Sequence, residues 1–415
     1  MRFRFISITC LLALFAWGLV NAGNGLAANK DGSRDQTWVA TWGTSPEPTS
    51  LMGPRAVNPS FTSQTLRLIV RTSIGGNRAR IRLSNAFGAD SLVVGSAHIA
   101  LRSDGAKIVE GTDRALTFGG AASTTIPPGA LAVSDSVNLA VPELSDLAVT
   151  IYLPGTTGQA TWHVGAQATN YVSTTGDFTG SADMPVDHEA QSWYYLADVE
   201  VAAPKQTLAL VTFGDSITEG ARSTPNANHR WPDFLASRLR ASHIKLAVVN
   251  QGIGGNRLLH DLASQNALAR LDRDALAQTG AGYVTVLLGI NDIGYSVRNQ
   301  PTQPVTAEEL IAAHLQIITR AHSRGFKIFG CTLTPFEDAP YFTQDGEAKR
   351  EAVNNFIRTS GAYDGVIDFD AAVRDPAHPN KLLPANDSGD HLHPNDSGYQ
   401  AMANAIDLSL FKKKR

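Results

Sequence analysis

Residues 208–220 read LALVTFGDSITEG, and the rest of the chain takes its meaning from how this stretch is read. Leu208, Leu210, Val211 and Phe213 make an apolar, partly β-branched run that passes directly into Gly214-Asp215-Ser216, the pattern of a buried strand ending in a tight turn. Such a strand carries Ser216 to its C-terminal edge, where ligands bind in open parallel α/β sheets. A serine held there by a rigid strand suits catalysis. A turn in which Asp215 or Ser216 only caps the following helix explains the same residues, so other segments have to decide.

Downstream the pattern alternates. Candidate strands at 208–213, 245–249, 283–288, 326–333 and 365–369 are separated by helical segments. Thr306-Ala307-Glu308-Glu309 is a capping box. The helix it opens puts Leu310, His314, Ile317, Ile318 and Ala321 on one face and stops at Gly325, which makes His314 a residue of the core boundary. Another helix follows Trp231-Pro232, and a last one runs over 396–410 with Tyr399, Met402, Ile406 and Leu410 inward. Strand and helix alternating on this spacing predict a parallel, doubly wound sheet over 206–411.

Upstream, 36–202 has the character of an all-β domain, with short strands at 65–71, 78–83, 92–101, 147–153 and 194–201 between Gly- and Pro-rich turns. Arg78-Ala79-Arg80-Ile81-Arg82-Leu83 alternates strictly, putting Ala79, Ile81 and Leu83 on one face and three arginines on the other. The expectation is a β-sandwich whose arginine face is solvated and discourages edge pairing; an anion or polysaccharide site is the other reading. Residues 202–206, AAPKQ, have the composition of a short linker.

At 415 residues, 43% hydrophobic and 18% charged, the chain can fill two cores. A formal net charge of −3 offers no electrostatic ground for a nucleic-acid partner, and Lys412-Lys413-Lys414-Arg415 reads as a solvated end. Arg2 and Arg4 precede an apolar run over 5–20 and small-residue cleavage candidates at 20–22 and 26–28. This is a signal peptide pattern over 1–28, and it predicts a secreted or periplasmic protein without stable membrane insertion after cleavage. Its removal leaves Cys331 as the only cysteine, so no internal disulfide forms. Cys331 lies in an apolar run and reads as a small core residue.

Three later segments bear on Ser216, two at strand ends and one just before the last helix. Asn250-Gln251-Gly252-Ile253-Gly254-Gly255-Asn256 follows the second strand; clustered glycines leave amide N–H groups free to point into a site. A dinucleotide loop would need a third glycine where Arg257 stands. Gly289-Ile290-Asn291-Asp292 follows the third strand, and Asn291 there serves either an oxyanion or an Asx turn. In Asp390-His391-Leu392-His393-Pro394, an Asp three residues before a His can bind imidazole Nδ1 and leave Nε2 to accept a serine proton. Metal binding by Asp390, His391 and His393 is the rival.

These four segments, in this order, resemble the four blocks of the SGNH, or GDSL, serine hydrolases. The resemblance covers roughly 207–410 and implies a flavodoxin-like three-layer α/β/α domain. It implies Ser216 as nucleophile, His393 as general base oriented by Asp390, and an oxyanion hole built from Ser216, Gly255 and Asn291, with no cofactor and no metal. Ile217 stands where the family usually has leucine. The leading region, with TWVATWGTSP at 37–46, is similar to that of some secreted bacterial two-domain members described as xylan-esterase-like or arylesterase-like. The expected protein is an exported serine esterase of short acyl or acetyl esters, on small molecules or acylated polysaccharide. A lipase, lysophospholipase or thioesterase-type acyl hydrolase uses the same residues, and a non-catalytic carbohydrate-binding surface protein is the reading from another class. Acyl selection falls to loops at 256–265 and 292–304, where Arg257 is a candidate to touch substrate. Oligomeric state is not legible.

Overall fold

The structure is a computed structural model that describes residues 36–49, 59–298 and 302–411; the signal-peptide segment and the basic tail lie outside these. The second half is built on five parallel strands in the order Leu246–Gly252, Leu208–Gly214, Ala281–Leu287, Lys327–Cys331, Gly365–Ile367. In chain order this is 2-1-3-4-5, the flavodoxin-like arrangement, which puts the switch point beside the first strand. Helices pack in two groups. Trp231–Ala241, Phe369–Val373 and Asp396–Ala405 touch one another, and so do Ala267–Leu271, Ile290–Arg298, Ala307–Ser323 and Gln344–Thr359. The long helix begins as its sequence dictates, with Thr306 Oγ1 accepting from Glu309 N–H and Glu309 reaching back to Thr306 N–H.

The first half is a sandwich of two antiparallel sheets. One runs Gln36–Gly43, Leu196–Pro204, Gly76–Ser84, Leu131–Val133; the other runs Val186–Ala190, Asn170–Thr175, Thr62–Arg71, Asp146–Thr156, Ser96–Leu101, Arg114–Leu116. Val39, Ile81 and Val199 from the first meet Leu66, Leu68, Val149 and Ile151 from the second in one core. Each such side chain contributes about 1.5–3 kcal/mol by leaving water. Ala209, Ala247 and Val249 of the parallel sheet belong to the same core, so the sandwich closes over the edge strand Leu246–Gly252. Ser73 Oγ accepts the outward Val248 N–H at 3.0 Å, satisfying an edge donor that would otherwise invite pairing.

Several expectations are corrected. The 202–206 stretch is no linker up to Pro204, because Ala202 and Ala203 continue a strand paired with Thr37 and Trp38, and small apolar residues bury as readily in a ladder as they loop. The 92–101 strand divides at Gly95 into Leu92–Val94 and Ser96–Leu101. The final helix stops at Ala405. The arginine face of Gly76–Ser84 is not solvated. Arg80 lies over the Trp38 ring and pairs with Glu200 at 2.6 Å, and Arg82 reaches Asp198 at 3.3 Å and the Ala277 carbonyl. Asp198 and Glu200 are buried under this contact, and burial pushes the Asp198 carboxyl up to about 7. Arg80 and Arg82 are counter-ions to carboxylates on the neighbouring strand, a partner no single-strand pattern reveals. His314, expected at the core boundary, is wholly buried, its Nδ1 2.6 Å from the Tyr363 hydroxyl.

Candidate active site

The first strand ends at Gly214, level with Gly252 of one neighbour and Leu287 of the other. Ser216, the 253–256 loop and Asn291 therefore leave the sheet at one edge. Asp215 caps the short helix Ser216–Glu219, its Oδ1 accepting from Ile217 N–H at 3.0 Å. Capping and an available serine prove compatible, because Asp215 does the capping and Ser216 Oγ is left to face His393. A side chain on Gly214 would strike Thr218 Oγ1 at 2.1 Å, which is why the turn into this helix requires glycine.

Ser216 Oγ lies 2.8 Å from His393 Nε2, and His393 Nδ1 lies 2.8 Å from Asp390 Oδ2. Asp390 Oδ1 accepts from the backbone N–H groups of His393 at 2.8 Å and Leu392 at 3.1 Å, and from Ser388 Oγ. Burial pushes the Asp390 carboxyl up, but hydrogen bonds from the His393 ring and backbone outweigh it and hold the group well below the usual carboxylate range. His391 turns away and binds Asp387 at 2.7 Å, so Asp390, His391 and His393 do not converge as metal ligands.

Gly255 takes a left-handed conformation, φ +75°. Among the described residues neither its N–H nor that of Ser216 meets a hydrogen-bond acceptor in the protein. Asn291 sits in the first turn of Ile290–Arg298; its Nδ2 donates to the Asn256 carbonyl at 3.1 Å, and its Oδ1 lies 3.5 Å from the Tyr341 hydroxyl. It makes no Asx turn. One Nδ2 proton ties it to the glycine loop and the other remains for a ligand. The five residues singled out in the sequence thus meet at one edge: Ser216, His393 and Asp390 as a hydrogen-bonded chain, Gly255 and Asn291 as donors linked through Asn256.

Other residues of the site were not singled out. Asp292 accepts from Leu258 N–H at 2.7 Å and Leu259 N–H at 3.0 Å and so fixes the far end of the glycine loop; burial pushes it up to about 6. Its position next to Asn291 was the only available hint. Burial likewise pushes Asp215 up to about 7. Arg222 reaches Asp390 Oδ2 at 3.2 Å, and no motif announced it. Arg257 does not line an open site. It is buried, bonded to Gln303 at 2.6 Å and 3.9 Å from Asp292. The 292–304 loop is helical up to Arg298. A separate cavity of about 210 Å³, lined by Trp42, His163, Trp193, Glu219, His229 and Arg230 among others, lies where the two halves meet and includes neither Ser216 nor His393.

A hydroxyl, an imidazole and a carboxylate in line, with amide donors beside the hydroxyl, can move a proton and stabilise an oxyanion. Residues 212–401 match the GDSL-like lipase/acylhydrolase family. No curated protein matches the chain. Among solved structures the chain is similar to a G-D-S-L family lipolytic protein from Desulfitobacterium hafniense (22% identity, 48% of this chain and 97% of that one, TM-score 0.38). It is also similar to a catalytic mutant of an acetylxylan esterase from Geobacillus stearothermophilus (21% identity, 48% and 91%, TM-score 0.39).

Proposed function

We propose, from the premise that residues 212–401 form a domain of the GDSL-like lipase/acylhydrolase family and that the protein is a carboxylic ester hydrolase, that Ser216, His393 and Asp390 carry the reaction through an acyl-enzyme. The observation behind this reading is the unbroken chain from Ser216 Oγ through the His393 ring to Asp390, both links 2.8 Å long. His393 Nε2 takes the proton of Ser216 as Oγ attacks the ester carbonyl. The oxyanion of the tetrahedral intermediate is met by the N–H groups of Ser216 and Gly255 and the amide of Asn291. His393 hands the proton to the departing alcohol. Water, deprotonated by the same imidazole, then releases the acid.

The substrate we infer is a short acyl ester, acetyl above all, on a small alcohol or a polysaccharide. What supports this is the wall beside the donors. Tyr295 and Tyr341 meet edge to face at 5.9 Å, and the Tyr295 hydroxyl lies 3.1 Å from where a Gly255 side chain would start, so two bulky rings stand beside the donors. Export is a proposal of the same standing, motivated by the basic and apolar N-terminus. Ser216→Ala tests the reading directly: hydrolysis of p-nitrophenyl acetate should fall by roughly 10⁵-fold or more while the melting temperature stays close to wild type. Turnover within tenfold of wild type would remove Ser216 from the mechanism. Rates that rise from acetate to decanoate esters would replace the short-acyl assignment with a lipase.

A further inference from the structure

The TWGTSPE segment at 41–47 and the Trp162–His163 strand of the β-rich half end in a buried contact with the serine turn that the mechanism above does not use. Glu47, His163 and Glu219 are all buried. His163 Nδ1 lies 3.0 Å from the Ser45 carbonyl and 3.2 Å from Glu47 Oε1, and its Nε2 lies 3.5 Å from Glu219 Oε1. Glu219 is the acid in GDSITEG, three residues after the serine. The same Oε1 accepts from Gly254 N–H at 2.9 Å, one residue before the donor Gly255. Backbone contact is as close as chemistry allows. A Cβ on Gly252 would stand 2.2 Å from Glu219 N, and one on Gly165 of the β-rich half 2.4 Å from the Glu219 carboxyl carbon.

Two consecutive glycines have more backbone freedom than any other pair, yet an oxyanion donor acts only if it is fixed before the charge develops. A charge-assisted bond from Glu219 to Gly254 N–H supplies that fixation. The carboxylate would itself be free to turn if His163 did not hold it from behind. The second strand of the same brace runs through Ser45, whose Oγ donates to Gln251 Oε1 at 2.6 Å, and through Arg270, which donates to Ser45 Oγ at 2.9 Å, the Gln251 carbonyl at 2.9 Å and the Gly214 carbonyl at 2.8 Å. Ser45 of the β-rich half thus holds the strand that leads into the glycine loop, and Arg270 of the parallel-sheet half links it to the Gly214 carbonyl before the serine turn. We propose that Glu219 is a positioning residue for the Gly255 oxyanion donor, held in place by Glu47 and His163, so that the β-rich half is part of the catalytic apparatus. This rests on the acyl-enzyme reading of Ser216. The ligand atoms of Glu47, His163 and Glu219 lie within 4.8 Å of one another, so the same three side chains could instead gather around a cation, an outcome the test reads separately.

The test uses the full chain, with p-nitrophenyl acetate for kcat and KM and phenylboronic acid, which forms a tetrahedral adduct on a serine, for transition-state affinity. Glu219→Ala should lower kcat by about 10- to 100-fold, below the roughly 100- to 1,000-fold typical of outright loss of a donor. Phenylboronic acid should weaken by a similar factor with KM within about twofold, the split that marks loss of a transition-state interaction. Glu219→Gln keeps an oxygen for Gly254 N–H and should fall between Glu219→Ala and wild type. His163→Gln should move kcat and inhibitor affinity in the same direction by less, and His188→Ala, at an exposed site on the β-rich half, should move neither. Active-site titration with a fluorophosphonate corrects each variant for misfolded enzyme. Wild-type kcat and inhibitor affinity in both Glu219→Ala and His163→Gln, per titrated site, would overturn the proposal. So would one equivalent of tightly bound metal in the purified protein with activity lost on chelation. Wild-type protein that hydrolyses no ester defeats the acyl-enzyme reading beneath it, a result visible before any variant is made.

Discussion

The two halves of this chain bury their polar groups in different places. In the parallel-sheet half the chemistry-bearing residues Ser216, Gly255 and Asn291 stand just past the ends of three adjacent strands. In the β-rich half Arg67, Asp198 and Glu200 sit within strands, on faces covered by other segments. The difference follows from how each fold closes. A parallel sheet covered by helices on both faces leaves only its strand ends open, so function collects there. A sandwich has an outer face on each sheet, and here both outer faces are partly covered. Loops around Ala106 and Met184 pack on the Thr62–Arg71 strand, and residues near 277–279 pack on the arginine strand. Polar groups at the parallel strand ends, and those that touch them, should therefore govern turnover, and those on the covered outer faces of the sandwich should govern stability.

After Ser216→Ala, the largest expected effect is in the loop that precedes the Asp396–Ala405 helix. Asp390→Asn would present an amide donor to His393 Nδ1, turning the ring to the tautomer whose Nε2 carries the proton, and such a change costs about 10⁴-fold in kcat. Melting should shift little, because Asp390 is only partly buried and is satisfied on its outer side by Arg222. A loss below about tenfold would mean that Asp390 does not orient the base. The counterpart in the sandwich is Arg67→Met. Arg67 is wholly buried, with Nε on Thr150 Oγ1 at 3.0 Å, one terminal nitrogen on the Ala106 carbonyl at 2.5 Å and the other on the Ser181 carbonyl at 2.7 Å. Removing the donors leaves those acceptors unmet, at roughly 2–4 kcal/mol in all, which a lower urea midpoint would register with kcat unchanged. Should kcat fall instead while the midpoint holds, the division between the halves would not survive.

How much of this could be read in the sequence follows the same division. The five parallel strands were legible from their alternation with helices, though their spatial order was not, and the segments around Ser216, Gly255, Asn291 and Asp390 came from short motifs, because residues next to one another in sequence carry them. Part of the sandwich was legible too, the strands at 65–71, 78–83, 92–101, 147–153 and 194–201, whereas Gln36–Gly43, Asn170–Thr175 and Val186–Ala190 were not read. What the covered faces do was not. The arginines at 80 and 82 look solvated until Asp198 and Glu200 appear on the adjacent strand more than a hundred residues later. Glu219 sat inside the motif that was quoted, but its partners Glu47 and His163 lie 172 and 56 residues before it. Pairings at such separations leave no periodicity behind. Composition also misled at 202–206, where a strand that happens to be made of small residues looks like a connector.

The smallest effect tests whether a buried polar group in the catalytic half behaves like those of the sandwich. His314 lies on the inner face of the long helix, against Tyr363, with Nε2 lacking a hydrogen-bond partner among the described residues. Burial lowers it to about 4, helped by nothing charged and opposed only by a backbone contact at Leu288. The unfolded chain takes up this proton near pH 6.5, whereas the fold refuses it until about 4. His314 therefore costs nothing above pH 6.5, removes stability progressively as pH falls toward 4, and removes no more below that, roughly 3 kcal/mol in total. Asp198 and Asp215 at about 7 and Asp292 at about 6 act with the opposite sign, losing stability as pH rises through that window, so the wild-type curve mixes both. In His314→Leu the carboxylates are unchanged and cancel in the difference. The variant leaves the Tyr363 hydroxyl unpaired, a cost independent of pH because burial raises that phenol far above this range. Urea unfolding from pH 4 to 8 should then show the variant losing less stability than wild type on acidification, and curves that stay parallel throughout would mean that the buried imidazole is protonated in the fold.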